Sequence, residues 1–191
     1  RSAFGTSRVM VYQSDWLPEL SRHGLKARVP LKRYLEDYGK LRAGLHLWMN
    51  YGLISGGRAG YRLGDWVPKR AREAFQGETC REELLFAQHS HIDLYGNVIP
   101  AFCGGISLGE WYDLDGLIAR CQEGETWPMV AILLAEGPFG LFIQAKDEYG
   151  YEPLADGYAG KCHLCVDVRK HFVKQEAYLE TLQPIGFYDS F

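Results

Sequence analysis

Apolar residues between Arg8 and Ser55 gather in short β-type runs separated by stretches of helical spacing. Arg8-Val-Met-Val-Tyr12 has the near-continuous apolar character of a buried strand, and Asp15 caps a helix expected from Trp16 to about His23. Pro30 stands at the first position of a second amphipathic stretch, Leu31 to about Tyr38. Leu41 to Tyr51 repeats the helical period, Gly52 stops it, and Leu53-Ile54-Ser55 reads as a short strand. Gly56-Gly57-Arg58-Ala59-Gly60 then turns the chain into a further helix. This strand–helix–helix–strand rhythm is what the closing units of an α/β barrel look like.

From Arg72 the pattern changes. Arg81 to Gln88 is a candidate short helix or strand. His89 to Gly109 follows, with Ile92 and Leu94 alternating against polar neighbours, Gly96-Asn97 as turn chemistry, and Val98-Ile99 resuming a β-type run. That is the signature of a hairpin, whose returning strand is expected to run past Pro100 to Cys103. Asp113 or Asp115 caps a helix reaching about Cys121. Trp127 to Ala135 and Phe139 to Lys146 read as two helices broken at Gly137-Pro138. Gly157 to Lys161 is a loop, Cys162 opens a helix towards Val173, and Glu176 to Leu182 is expected to add a last helical turn or two before Phe187-Tyr188.

Composition narrows the function classes. The 191 residues are 47% hydrophobic and 14% aromatic, enough for a substantial core, and the net charge of −3 with no basic face argues against nucleic acid as a partner. The longest apolar run, Met129 to Ala135, is too short to cross a bilayer. Five cysteines, an odd number, point to a reducing, cytoplasmic setting and to metal rather than disulfides. Arg1 opens the chain in place of a methionine and a strand follows within a few residues, so a fragment of a longer protein is expected.

The cysteines carry the chemistry. Cys162-His-Leu-Cys165 can chelate one metal or one edge of a cluster, and a helix starting there offers N–H groups and a positive dipole end that favour thiolates. No βαβ pattern precedes it, which disfavours a thioredoxin-type redox pair. Zinc competes, since four cysteines close a tetrahedral structural site. Cys103 on the hairpin is the third candidate ligand and Cys80 the fourth; Cys121, on the apolar face of a predicted helix, is assigned to the core.

Cys80, then His89-x-His91-x-Asp93-x-Tyr95-Gly96-Asn97, then Cys103-Gly-Gly-Ile106, then Gly160-x-Cys162-x-x-Cys165 resembles the C-terminal region of radical SAM proteins. In particular it is similar to the twitch subdomain, the shortened form of the SPASM domain. The resemblance implies an α/β fold: the end of a radical SAM-type partial TIM barrel over residues 1–70, then an α+β twitch/SPASM-like subdomain with a β-hairpin and helices over residues 71–191. It implies an auxiliary [4Fe–4S] cluster held by Cys80, Cys103, Cys162 and Cys165. The chain departs from the family in two ways. The CxxxCxxC loop of the cluster that cleaves S-adenosylmethionine is absent, and six residues separate Gly96 from Cys103 where the usual pattern has four. The implied partners are therefore the N-terminal radical SAM core of the same protein, with its S-adenosylmethionine, and a small-molecule or peptide substrate.

Other residues are read around that frame. Arg58 follows an expected strand end, where barrel enzymes place binding groups, and the glycines beside it would admit S-adenosylmethionine or substrate; a surface arginine at a turn is the alternative. His89 and His91 share one side of a strand and read as a hydrogen-bonded edge feature rather than ligands. His163 is expected to point outward, and Asp93 to hydrogen-bond across the hairpin turn. Two further classes stand beside the cluster reading: a non-catalytic zinc-stabilised interaction module on the same four cysteines, and a metal-free helical domain.

Overall fold

The computed structural model describes residues 36, 39–51, 54–86, 89–123 and 127–191. The strand expected at Arg8–Tyr12 and the helices expected at Trp16–His23 and from Pro30 lie outside the described residues, apart from the helical Glu36. The chain forms two compact units, Arg1–Ala43 and Gly44–Phe191. Residues 44–70 belong to the same unit as the cysteines.

Helices dominate. They are α1 (Lys40–Tyr51), α2 (Arg58–Leu63), α3 (Arg81–Leu85), α4 (Leu114–Gln122), α5 (Pro128–Ala135), α6 (Gly137–Tyr149), α7 (Lys161–Lys174) and α8 (Gly186–Asp189). A two-stranded antiparallel sheet, β1 (Ser90–Ile92) and β2 (Val98–Pro100), pairs Ser90 with Pro100, His91 with Ile99 and Ile92 with Val98. Ile54 and Ser55 are irregular where a strand was expected. Among the described residues before Arg81 the only β pairing is the bridge of Arg70 to Tyr158. Among the described residues no helix is long and apolar enough to cross a membrane.

The hairpin forms, but its turn sits earlier than Gly96-Asn97. Asp93 accepts hydrogen bonds at Oδ1 from the Tyr95 and Asn97 backbone N–H groups (2.8 and 2.9 Å) and at Oδ2 from the Asn97 amide (2.9 Å), so the reversal centres on Leu94-Tyr95. A short acceptor that satisfies two turn N–H groups at once explains why the chain reverses there. β1 is exposed throughout whereas β2 is buried throughout. β2 is covered on its second edge as well, where Val98 donates to Gly109 (2.8 Å) and accepts from Leu108 (2.9 Å).

α5, α6 and α7 pack in sequence, and the core gathers beneath them around Phe75, Met129, Leu133, Leu141, Leu164 and Phe172. Glu136 closes α5, and Gly137 opens α6 at φ +69° with the Glu78 carbonyl so close that a Cβ there would stand 1.9 Å from its oxygen. Only glycine fits such a point. Gly150, left-handed at φ 65°, closes α6 by donating to Ala145. Beyond α7 the expected helical continuation over Glu176–Leu182 does not form. Glu176 and Tyr178 both take positive φ (54° and 56°), and the segment folds back as turns instead. That reversal brings Thr181 to accept from Ser107 (2.8 Å) and carries Tyr188 into the core.

Candidate metal centre

Three separate local structures deliver four thiols to one place. Cys80 precedes α3, held by its own N–H to the Leu133 carbonyl (2.9 Å) while its carbonyl accepts from Leu84 (3.0 Å). The strand expected to reach Cys103 stops at Pro100. Ala101 takes φ 45°, and Cys103 is presented by a turn in which it donates to Pro100 (2.9 Å) and accepts from Ile106 (3.0 Å). Cys162 and Cys165 lie three residues apart in the first turn of α7, hence on one face. All four line a single cavity of about 330 Å³.

Cys80 and Cys165 are buried, Cys103 and Cys162 half-buried, and all four are free thiols. Burial, with the neighbouring Cys165 next in weight, pushes the Cys162 thiol up to about 12. Burial also lifts Cys103 to about 11, opposed by the Arg169 guanidinium, and raises Cys80 well above the ordinary thiol range with Cys165 adding to it. Thiols that feel one another's charge in this way make a stable thiolate set only with a cation among them.

The other wall of the cavity is the turn before α2. Gly56, Gly57 and Arg58 line it, placing the candidate binding arginine and the cysteines around one space. A Cβ at Gly56 would stand 3.9 Å from the Cys162 Cβ, and Gly57 needs φ 54° with the Phe187 ring behind it. Phe102, Leu133, Pro138 and Phe187 complete an apolar surround. Lys161 fastens the start of α7 to the start of α3 through an ion pair with Glu83 (2.6 Å) and a hydrogen bond to the Thr79 carbonyl (2.8 Å).

Four cysteine sulfurs are a soft donor set of the kind that zinc and iron–sulfur clusters both take. Zinc needs its sulfurs about 2.3 Å from one point. Among the described residues no three His, Cys, Asp or Glu side chains are placed to hold one metal ion. A thiolate-capped cluster takes one sulfur per iron from around its periphery, and four thiols standing around a glycine-walled, largely apolar cavity fit that demand.

The remaining predicted residues fall elsewhere. His89 and His91 are exposed, pack on each other (ring centroids 5.1 Å) and on Phe102 (4.6 and 6.2 Å), and do not line the cavity. His163 does not point outward: it is buried, accepts at Nδ1 from the Ala159 N–H (3.3 Å), and packs against Tyr61 and Tyr158. One helical step from Cys162 is a turn of about 100°, and that direction faces the aromatic side of the unit. Cys121 lies on α4, its side chain outside the described set.

Arg169 is the residue that the motif reading missed. It follows Cys165 by four positions and Cys162 by seven, and so shares their face of α7; continuing the CxxC face along the helix would have found it. The chain matches no protein family, no curated protein and no solved structure in the comparisons made with them.

Proposed function

We propose that this chain is the C-terminal portion of a radical SAM enzyme, in which Cys80, Cys103, Cys162 and Cys165 hold an auxiliary [4Fe–4S] cluster and the cavity around them helps to enclose substrate. The observation that supports this reading is the convergence of four thiols, from three stretches remote in sequence, on one glycine-walled cavity that Arg58 also lines. The cluster, when bound, supplies one-electron transfer or an anchor for the fold. The chain's own residues supply the rest: the four thiols bind, Leu133 and Phe187 exclude water, and Arg58 offers a guanidinium to an anionic group of substrate or of S-adenosylmethionine. The radical chemistry belongs to an N-terminal core carrying CxxxCxxC, and a reducing cytoplasm suits free thiols of this kind.

The test is iron, acid-labile sulfide and zinc content of protein purified without oxygen, beside Cys162→Ala/Cys165→Ala. About four irons and four sulfides per chain, lost in the variant, are expected. About one zinc without sulfide would replace this reading with the zinc-stabilised interaction module. Neither metal would leave only the fold.

A further inference from the structure

Arg169 has an environment that the protein alone does not satisfy. It is 2% exposed. Its Nη1 donates to the Gly104 carbonyl and to the Tyr188 hydroxyl, each at 3.0 Å, and Tyr188 in turn donates to the Gly105 carbonyl (2.7 Å). Arg169 follows Cys165 by four residues on α7, and both line the same cavity. Its Nε is buried with no partner, and the side chain lines the cavity. Among the described residues no carboxylate forms an ion pair with it. A guanidinium taken out of water without an anion is costly, and an anion set against it offsets that cost.

Thiolates around an iron–sulfur core provide that charge. The assembly is net negative, and more so once reduced. Resting on the cluster reading above, we propose that Arg169 is the counter-charge and hydrogen-bond donor of the auxiliary cluster, and that it sets the cluster's reduction potential. A fixed positive charge beside the sulfurs, with one buried N–H left unpartnered, favours the more negative, reduced state. Its two anchors to Gly104 and Tyr188 fix the guanidinium beside Cys165 without neutralising it. Arg169 is thus a positioning and tuning residue, not a ligand.

The experiment is a redox titration of the anaerobically reconstituted chain with dithionite, each cluster taking one electron, followed by electron paramagnetic resonance. Wild type is compared with Arg169→Gln, Arg169→Lys and Tyr188→Phe. Arg169→Gln is expected to lower the equilibrium constant for reduction about tenfold or more, about 59 mV in midpoint potential. Arg169→Lys, which keeps the charge but not the fork, is expected between Gln and wild type. Tyr188→Phe removes an anchor but no charge, and is expected to stay within about twofold in that constant. A potential unmoved in Arg169→Gln overturns the proposal, and so does a Tyr188→Phe shift as large as that of Gln. Where Arg169→Gln does not fold, Lys decides: a potential below wild type supports the proposal and one equal to it overturns it. Wild type that takes up no iron and sulfide sinks the cluster reading itself, whereas bound iron with an unmoved potential sinks only this inference.

Discussion

Helix α7 presents two polar faces that differ in what completes them. Cys162, Cys165 and Arg169 line the cavity, while His163, Asp167 and Lys170, about a third of a turn round, look towards a cluster of aromatic rings. On the aromatic face the protein supplies its own partners. Asp167 accepts from the Tyr61 hydroxyl (2.5 Å) and from the Tyr151 hydroxyl, Tyr158 bonds to Tyr151 (2.7 Å), and the Leu154 N–H donates to Tyr158 (3.0 Å). On the cavity face free thiols and the unpartnered Arg169 Nε surround a space. A buried polar network closed on itself fixes a structure, and one left open towards a cavity marks where something else is to bind. His163 refines the contrast: its Nε2 is also buried without a hydrogen-bond partner, yet it is packed among tyrosine rings and does not line the cysteine cavity.

Substitutions on the two faces should therefore fail in different assays. The largest effect belongs to Cys162→Ala, which is expected to abolish cluster retention while moving the denaturation midpoint of the metal-free chain by no more than about 1 kcal/mol. Metal analysis and urea melts of the same preparation check it; a large loss of metal-free stability would mean that the cavity face is structural too. Asp167→Ala does the reverse. It strands two phenols and is expected to cost about 3 kcal/mol of stability, with iron and sulfide per folded chain unchanged.

A third measurement uses pH on the metal-free chain. Burial first, then the Asp167 carboxylate, holds the Tyr61 and Tyr151 phenols well above their ordinary range, while Tyr158 adds to this and Arg169 opposes it at Tyr61. Groups that hold their proton more tightly when folded contribute stability that is fully present below the unfolded value near 10. That stability is lost as pH rises beyond it. The melting temperature should accordingly fall above about pH 10, and Tyr61→Phe/Tyr151→Phe should flatten that part of the fall. An equally steep fall in the double variant would detach the effect from this face. The smallest effect is expected away from α7: Asp93→Ala should cost about 1 kcal/mol through the hairpin turn and leave metal content alone, since only the turn uses that carboxylate.

Much of the candidate site was readable because cysteine pairs at helical spacing and a turn-rich hairpin are local signals. The helix after Cys162, the break at Gly137-Pro138 and the role of Asp93 each depend on neighbours within a few residues. The misreadings came where distant contacts decide. His163 was expected outward because a residue between two ligands has no local reason to be buried; Tyr61, Tyr158 and Gly60, far along the chain, bury it. Glu176–Leu182 has helical spacing, but Ala177 donates back to Phe172 and Thr181 accepts from Ser107, and those contacts turn the chain. Strand β2 stops before Cys103 because Ala101 bends it towards the cavity.

By itself the sequence determined which residues could act as soft ligands and which two of them must share a helix face, because residue type and a period of about 3.6 are properties of the chain alone. It also determined that a hairpin would form between His89 and Cys103, since the turn residues and alternation lie side by side. Only the tertiary structure decided that Cys80 and Cys103 join Cys162 and Cys165 around one cavity, and that Arg58 and Arg169 border it. Those meetings depend on how α3, the hairpin turn and α7 pack over a shared core, and the free energy of that packing comes from apolar surfaces that no local pattern pairs in advance.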